Sequence, residues 1–275
     1  MKIIFTAILL AIFSVMISAQ TKVVPIVDMK IGGLLGGVQN GKFLDAQTTV
    51  QKLVAEQNYT LYLFDGTNEK LKLKKPIATM DVCQDFLAVD MDQTEYTTNV
   101  YEKGGVALGE GFSWNPQPRA SKAIDLNNAQ YKKIVTDFLR TKRITQPNLL
   151  KLKQAVRVDL DGDGKEEVVL TASRIVDYED RKKNMKYDEY SVVLIRKIVG
   201  KVTQNILLDG NFYPKNPYEY DSYNYTVSSI ADLNGDGKME IVLHAQFYEG
   251  SATQVYEMVG NKAVEVKKLA AECGV

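Results

Sequence analysis

Two short acidic segments, repeated 73 positions apart, constrain this chain more than any other feature of its sequence. The segment 155–165 aligns without a gap on 228–238, and the match continues from 168–170 to 241–243. Each copy has an aspartate- and glycine-rich centre followed by apolar, mostly β-branched residues. Such self-similarity indicates two copies of one supersecondary unit.

Each acidic segment places oxygen-bearing side chains at positions 1, 3, 5 and 9, with a glycine at position 6. The residues are Asp159, Asp161, Asp163, Gly164 and Glu167 in the first loop, and Asp232, Asn234, Asp236, Gly237 and Glu240 in the second. Calcium takes about six to eight oxygen ligands, and a tightly turning loop can direct several at one centre. The position-7 carbonyls of Lys165 and Lys238 add one oxygen each. The pattern therefore predicts two Ca²⁺ sites.

The loops differ from an EF-hand, which carries a bidentate glutamate at position 12 and a helix on each side. Position 12 is Leu170 in the first copy and Leu243 in the second. The β-branched flanks favour strands. Further β-like runs follow at 190–197 and 202–208, and at 254–259 and 263–269. We expect loops between strands, in antiparallel units of about four strands each.

These loops and their following strands resemble the calcium loops of FG-GAP and VCBS-type repeats, found in integrin α-chain propellers and many secreted bacterial proteins. The resemblance covers about the last 120 residues, within 153–275. It implies blade-like four-stranded repeats in which positions 1, 3, 5 and 9 are side-chain ligands. Only two loops are present, and the Phe-Gly…Gly-Ala-Pro signature is lacking. Since a closed ring needs at least about four blades, the expected architecture is a partial or irregular propeller.

The two predicted sites differ in charge. The first loop holds four carboxylates, whereas Asn234 leaves the second with three. More ligand charge favours tighter calcium binding, so the count predicts that the first site is the tighter. Extracellular sites of this kind often have dissociation constants of about 10⁻⁴–10⁻³ M, which predicts a structural role for the ion rather than a signalling role.

The N-terminus has the pattern of a secretory signal peptide, 1–19. Lys2 precedes the apolar run 3–17, and small residues end at Ala19. A membrane-spanning helix needs about 20 apolar residues, more than this run supplies. No cysteine lies near Ala19, so a lipid anchor is not expected. The sequence predicts a secreted or periplasmic protein without membrane insertion after cleavage.

Charge and cysteine content indicate which partners and which covalent bonds to expect. Lysine plus arginine equals aspartate plus glutamate at 34 each, so the chain has no net basic charge that would favour nucleic acid. Cys83 and Cys273 are the only cysteines, and an exported chain meets conditions in which such a pair oxidises. A disulfide is expected, with two unpaired thiols as the alternative.

The rest of the chain is divided into a β-rich domain, 20–121, and a helical connection, 122–152, before the repeats of 153–275. The five glycines of 31–41 predict tight turns rather than a regular element. The apolar run 59–64, the turn Asp65-Gly66 and alternating leucines after it predict a hairpin. A helix is expected around 134–139, capped by Asp125 or Asn127. The fold class is therefore mainly β with one or two short helices.

Two classes of function stay open. A binding or envelope-associated module with a protein or carbohydrate ligand is favoured by a tyrosine cluster between the loops, although tyrosines also pack on strands. The cluster comprises Tyr213, Tyr218, Tyr220, Tyr223 and Tyr225. The alternative is a secreted hydrolase using His244 with Ser228 or Ser229. No Gly-x-Ser-x-Gly elbow and no His-Glu-x-x-His motif is present, so the hydrolase is the less favoured of the two classes.

Overall fold

The computed structural model describes residues 22–78, 83, 85–89, 104–145, 147, 150–175, 188–214 and 222–274. The expected signal peptide, 1–19, lies outside the described residues. The described chain is mainly β with two helices, which confirms the predicted fold class at that level. Neither helix is long and apolar enough to cross a membrane.

An eight-stranded antiparallel sheet occupies the N-terminal part. Its strands are β1 (Val24–Asp28), β2 (Gly33–Gln39), β3 (Lys42–Asp45), β4 (Glu56–Tyr62), β5 (Asn68–Lys74), β6 (Ile77–Ala78), β7 (Leu87–Ala88) and β8 (Val106–Gly109). The order is β5-β4-β8-β1-β2-β7-β6, and β3 pairs with β2. The short helix α1 (Ala46–Val50) follows β3, and the side chain of Asp45 caps it.

The predicted hairpin after Tyr59 is confirmed. Strands β4 and β5 pair antiparallel, and the backbone N–H of Thr67 donates to the side chain of Asp65 in the connecting turn. Leu73 is buried, whereas the lysines beside it are exposed. The alternation therefore gives β5 one buried face and one solvated face.

The expectation that the glycines of 31–41 form only turns is wrong, because β2 runs from Gly33 to Gln39. A Cβ on Gly36 would lie 2.3 Å from the carbonyl oxygen of Leu44, and one on Gly33 would lie 2.6 Å from the ring of Phe86. Glycines in this strand thus permit a close approach of neighbouring chain segments.

Two further antiparallel sheets follow. The second sheet contains β9 (Lys122–Ala123), β10 (Leu152–Val158), β11 (Glu167–Arg174), β12 (Glu189–Val199) and β13 (Val202–Tyr213), in the order β13-β12-β11-β10-β9. The third contains β14 (Asn224–Ala231), β15 (Glu240–Phe247), β16 (Gly250–Val259) and β17 (Lys262–Gly274), paired in chain order. The second sheet exceeds the expected four strands because β9 pairs with β10.

The predicted helix is α2 (Ala129–Thr141), but its cap differs from the prediction. Asn128 is the N-cap, and its side chain accepts hydrogen bonds from the backbone N–H groups of Gln130 and Tyr131. Asp125 instead accepts from the backbone N–H of Asn127 in a preceding turn. Val135 and Leu139 bury the apolar face against the second sheet.

The third sheet packs on both of its faces. One face shares a core with the second sheet, where Val169 and Val193 lie with Ile241 and Leu243. The opposite face joins the core of the first sheet, with residues that include Val24, Ile26, Leu108, Val242, Val255 and Leu269. The predicted disulfide between Cys83 and Cys273 is formed, with 5.2 Å between the Cα atoms. It ties the end of β17 to the N-terminal part of the chain.

Candidate metal centre

Both acidic loops lie at equivalent places, between consecutive antiparallel strands. The loop 159–166 joins β10 to β11, and the loop 232–239 joins β14 to β15. In each loop the position-1 aspartate accepts hydrogen bonds from the backbone N–H groups at positions 4 and 6. The distances are 2.7 and 3.1 Å at Asp159, and 2.7 and 2.9 Å at Asp232.

The glutamate at position 9 closes each loop in the same way. Glu167 Oε2 accepts a hydrogen bond of 2.9 Å from the backbone N–H of Leu160. Glu240 Oε2 accepts the equivalent bond, 2.7 Å long, from Leu233. The first carboxyl oxygen of the position-5 aspartate accepts from the position-7 N–H at 2.8 Å in both loops. The two loops, although distant in the sequence, therefore adopt the same conformation.

Glycines make the turn possible. Gly162 and Gly164 have φ angles of 76° and 83°, and Gly235 and Gly237 have angles of 80° and 84°. Side chains with a Cβ rarely adopt this left-handed conformation. The repeated glycine spacing is thus a backbone requirement of the loop.

Three carboxylates converge in the first loop. Asp159, Asp161 and Glu167 each offer one oxygen, and these oxygens lie within 4.8 Å of one another, a spacing that could hold a metal ion. The ammonium of Lys197, on β12, also reaches this centre. Its Nζ lies 2.6 Å from Asp161 Oδ2 and 2.7 Å from Glu167 Oε1, and the residue is only 4% exposed. Burial lowers the pKa of Lys197, but the hydrogen bonds to both carboxylates and the negative charges of these carboxylates together outweigh burial and raise the pKa above its ordinary value.

The second loop presents Asp232, Asn234 and Glu240 at the equivalent positions. Glu240 is fully buried, and its Oε1 has no hydrogen-bond partner among the described residues. Burial raises the pKa of Glu240 to about 8, and the charges of Asp236, Asp232 and Glu257 add to the rise. The hydrogen bond from the Leu233 N–H acts in the opposite direction. The second centre therefore disfavours the ionised form of Glu240.

The remaining predicted site residues lie at the rims of the loops. Asp163, Lys165, Asp236 and Lys238 are exposed. A backbone hydrogen bond from Lys165 lowers the pKa of Asp163. The lysine ammonium of position 7 is not a ligand in the predicted pattern, which uses only the backbone carbonyl of that residue.

Arg119, which no sequence motif indicates, bridges the two loops. Its guanidinium donates to the carbonyl oxygens of Asp159 and Leu160 in the first loop, and to that of Gly237 in the second at 2.7 Å. The backbone N–H of Met239 also donates to the carbonyl of Leu160. No pattern around Arg119 indicates this role, since its partners lie 40 to 118 positions away.

Trp114, the only tryptophan, contacts the second loop. Its indole N–H donates to the carbonyl oxygen of Asp232 at 2.9 Å. The indole also covers Gly235, where an added Cβ would lie 2.9 Å from the ring. The backbone N–H of Asp232 donates to the carbonyl of Pro116, so the segment 114–119 runs along both loops.

The tyrosine cluster that favours a ligand-binding role lies partly outside the described residues. Tyr218 and Tyr220 lie outside the described residues. Tyr225 is buried and accepts a hydrogen bond from the side chain of Asn211, while Tyr223 packs on Phe247 with 5.2 Å between ring centroids. Tyr225 lies on β14, and Tyr223 directly precedes this strand.

His244, the residue of the hydrolase alternative, is 3% exposed. Its Nδ1 lies 3.9 Å from Asp28 Oδ2 and 3.5 Å from the Thr253 hydroxyl, and that hydroxyl donates to Asp28. Burial lowers the pKa of His244 to about 4. The hydroxyls of Ser228 and Ser229 are buried and form no hydrogen bond with described residues.

Comparison of the chain with protein family models, with curated proteins and with solved structures finds no match. The resemblance to FG-GAP and VCBS-type repeats therefore stays a prediction.

Proposed function

We propose that this chain is an exported β-repeat protein whose acidic loops bind calcium as a structural ion. One observation carries the proposal: both loops hold the carboxylates of positions 1 and 9 by the same backbone hydrogen bonds, and in the first loop three carboxylate oxygens lie within 4.8 Å of one another. In both loops the backbone N–H groups orient the acidic side chains. Such loops suit a hard cation that prefers oxygen ligands.

Calcium in these loops would stabilise the fold rather than take part in a reaction. The loops connect strands that contribute to the cores between sheets, and Arg119 joins the loops to each other. A cation that offsets the repulsion between the carboxylates would stabilise these connections. The proposed repeats would be blade-like units of a partial propeller, as the resemblance implies.

Export is supported by two observations. The N-terminal sequence has the charge and hydropathy pattern of a signal peptide, and Cys83 is bonded to Cys273. Disulfides form and persist mainly in oxidising compartments such as the periplasm and the extracellular space. Mass spectrometry of the protein exported by a bacterial host tests this part, with Gln20 expected as the mature N-terminus.

The proposed role is that of a binding or envelope-associated module with a protein or carbohydrate partner. The burial of His244 favours this class over a hydrolase, because a neutral, nearly inaccessible imidazole is poorly placed to exchange protons with a substrate. The Asp28 and Thr253 contacts assign His244 to packing between the first and third sheets.

Thermal unfolding of the mature protein tests calcium binding. Calcium at tenfold excess over its dissociation constant should raise Tm by about 3–6 °C per site relative to protein in chelator. Magnesium at the same concentration should raise Tm less, because it demands near-ideal octahedral geometry and dehydrates reluctantly. Identical melting curves in calcium and in chelator would refute the proposal.

A further inference from the structure

We infer that the two loops are neutralised by different cations: the Lys197 ammonium closes the first loop, and a single calcium ion binds in the second, beside Glu257. The inference rests on the proposed calcium function and assigns the ion to one loop. It concerns Lys197 and Glu257, neither of which belongs to the repeated motif.

Strand register shows that Lys197 and Glu257 stand at equivalent positions. In the second sheet, Val168 pairs with Arg196, and continuing this antiparallel register by one position sets Lys197 opposite Glu167. In the third sheet, Ile241 pairs with Tyr256, and the same step sets Glu257 opposite Glu240. The two repeats therefore place opposite charges beside the same loop position.

The first loop has its cation within the chain. Lys197 binds one oxygen of Asp161 and one of Glu167, and the Arg119 Nε lies 3.8 Å from Asp159 Oδ2. A buried charge is tolerated when it is paired and hydrogen-bonded. Because the ammonium already contacts two of the three converging carboxylates, a divalent ion would have to displace it.

The second loop has no such cation. Among the described residues, no lysine, arginine or histidine forms an ion pair with Asp232, Asp236, Glu240 or Glu257. The fully buried Glu240 directs Oε2 to the Leu233 N–H, while Oε1 has no partner in that part of the chain. In the first loop the corresponding oxygen, Glu167 Oε1, is the one that binds Lys197. The unpartnered oxygen therefore marks the place where a cation is needed.

Calcium suits this place better than a proton. A proton on Glu240 would neutralise only that side chain and would leave the charges of Asp232, Asp236 and Glu257 uncompensated. Asp232, Asp236 and Glu240, with the amide oxygen of Asn234, provide the oxygen-rich surroundings that calcium prefers. The second loop should therefore bind calcium more tightly than the first. Counting carboxylates within the motifs predicts the opposite order, because that count does not include the charged residues of the neighbouring strands.

The primary experiment measures calcium stoichiometry by isothermal titration of the full mature chain. We expect one calcium per chain. Glu240→Gln retains the size and hydrogen-bonding capacity of a protonated glutamate, and it should weaken calcium binding by more than about tenfold. The matched control, Glu249→Gln, changes an exposed glutamate of the neighbouring β-turn and should bind as the unmodified chain does.

Two reciprocal substitutions test the equivalence of the strands. Glu257→Lys should place an ammonium beside the second loop, so this variant should bind no calcium and melt at the same temperature with and without chelator. Lys197→Glu should remove the internal cation, so this variant should bind two calcium ions. Far-UV circular dichroism identifies any variant that fails to fold, and Glu240→Gln tests the assignment independently of both.

The possible outcomes separate the inference from the proposed function. Two calcium ions on the unmodified chain would overturn the inference but retain the calcium function. A single ion lost in Asp161→Asn and kept in Glu240→Gln would place calcium in the first loop and also overturn the inference. No calcium binding at all would overturn both.

Discussion

The Lys197 ammonium and the Glu167 carboxylate form a buried ion pair with 2.7 Å between Nζ and Oε1. Lys197 lies on β12, and Glu167 begins β11 directly after the first acidic loop. The pair therefore connects the loop to the neighbouring strand. Removing one partner of a buried pair leaves the other charge uncompensated in a poorly solvated place.

Lys197→Met should lower the free energy of unfolding by about 3–5 kcal/mol when measured in chelator. Urea unfolding followed by circular dichroism measures the change. Lys201→Met, at an exposed position after β12, is the control and should stay within about 0.5 kcal/mol of the unmodified protein. Equal stability of the two variants would mean that the ion pair contributes nothing.

Two glycines of the second loop should differ in their tolerance of alanine. Both have positive φ angles, so either substitution costs about 1–2 kcal/mol of backbone strain. Gly237 has nothing within 4 Å of an added Cβ, whereas at Gly235 the Cβ would meet Trp114. We expect Gly235→Ala to lower Tm further than Gly237→Ala, and differential scanning calorimetry in chelator compares them. A larger loss at Gly237 would contradict the described packing of the indole.

The disulfide between Cys83 and Cys273 closes a loop of 190 positions. In the chain-entropy model, its removal destabilises the protein by about 5 kcal/mol, since the unfolded chain regains conformational freedom. We expect a Cys83→Ser, Cys273→Ser double variant to show a lower urea midpoint. Thiol titration of the unreduced, denatured protein should find no free cysteine, and two reactive thiols would contradict the bond.

Asp28 should impose a pH dependence on stability. Burial raises its pKa from 3.8 to about 6, and this effect outweighs the hydrogen bonds from Thr253 and Lys30 and the Lys30 charge. Because the folded state binds the proton more tightly than the unfolded state, Asp28 disfavours folding as pH rises from about 4 to about 6, with the full effect above pH 6. The shift corresponds to about 3 kcal/mol.

Asp28→Asn removes this titration and keeps an acceptor for the Thr253 hydroxyl. The variant should therefore gain stability relative to the unmodified protein as pH rises from 4 to 7. Urea unfolding at pH 4, 5, 6 and 7 measures the difference. His244 faces the same carboxylate, but burial lowers the pKa of His244 to about 4, so its imidazole is neutral in the folded protein over most of this pH range. A difference that does not change with pH would rule out a raised Asp28 pKa.

Structural elements that depend on residues close together in the sequence could be predicted from the sequence. The hairpin β4–β5 follows from alternating side chains around Asp65-Gly66, and α2 follows from a periodic apolar stripe. The cap of α2 was missed because several polar residues precede the helix, and only backbone geometry distinguishes Asn128 from its neighbours. The strand β2 was missed because its glycines serve close contacts with residues distant in sequence.

The sequence by itself determined the two acidic loops, since each loop is held by hydrogen bonds that span at most seven positions. Tertiary structure alone decided what surrounds them. Lys197 lies 30 positions from Glu167, and Trp114 lies 118 positions from Asp232. Strand pairing selects these neighbours, and pairing depends on how whole sheets bury their apolar faces. Nearly identical motifs therefore acquire different electrostatic surroundings, with a lysine beside one loop and a glutamate beside the other.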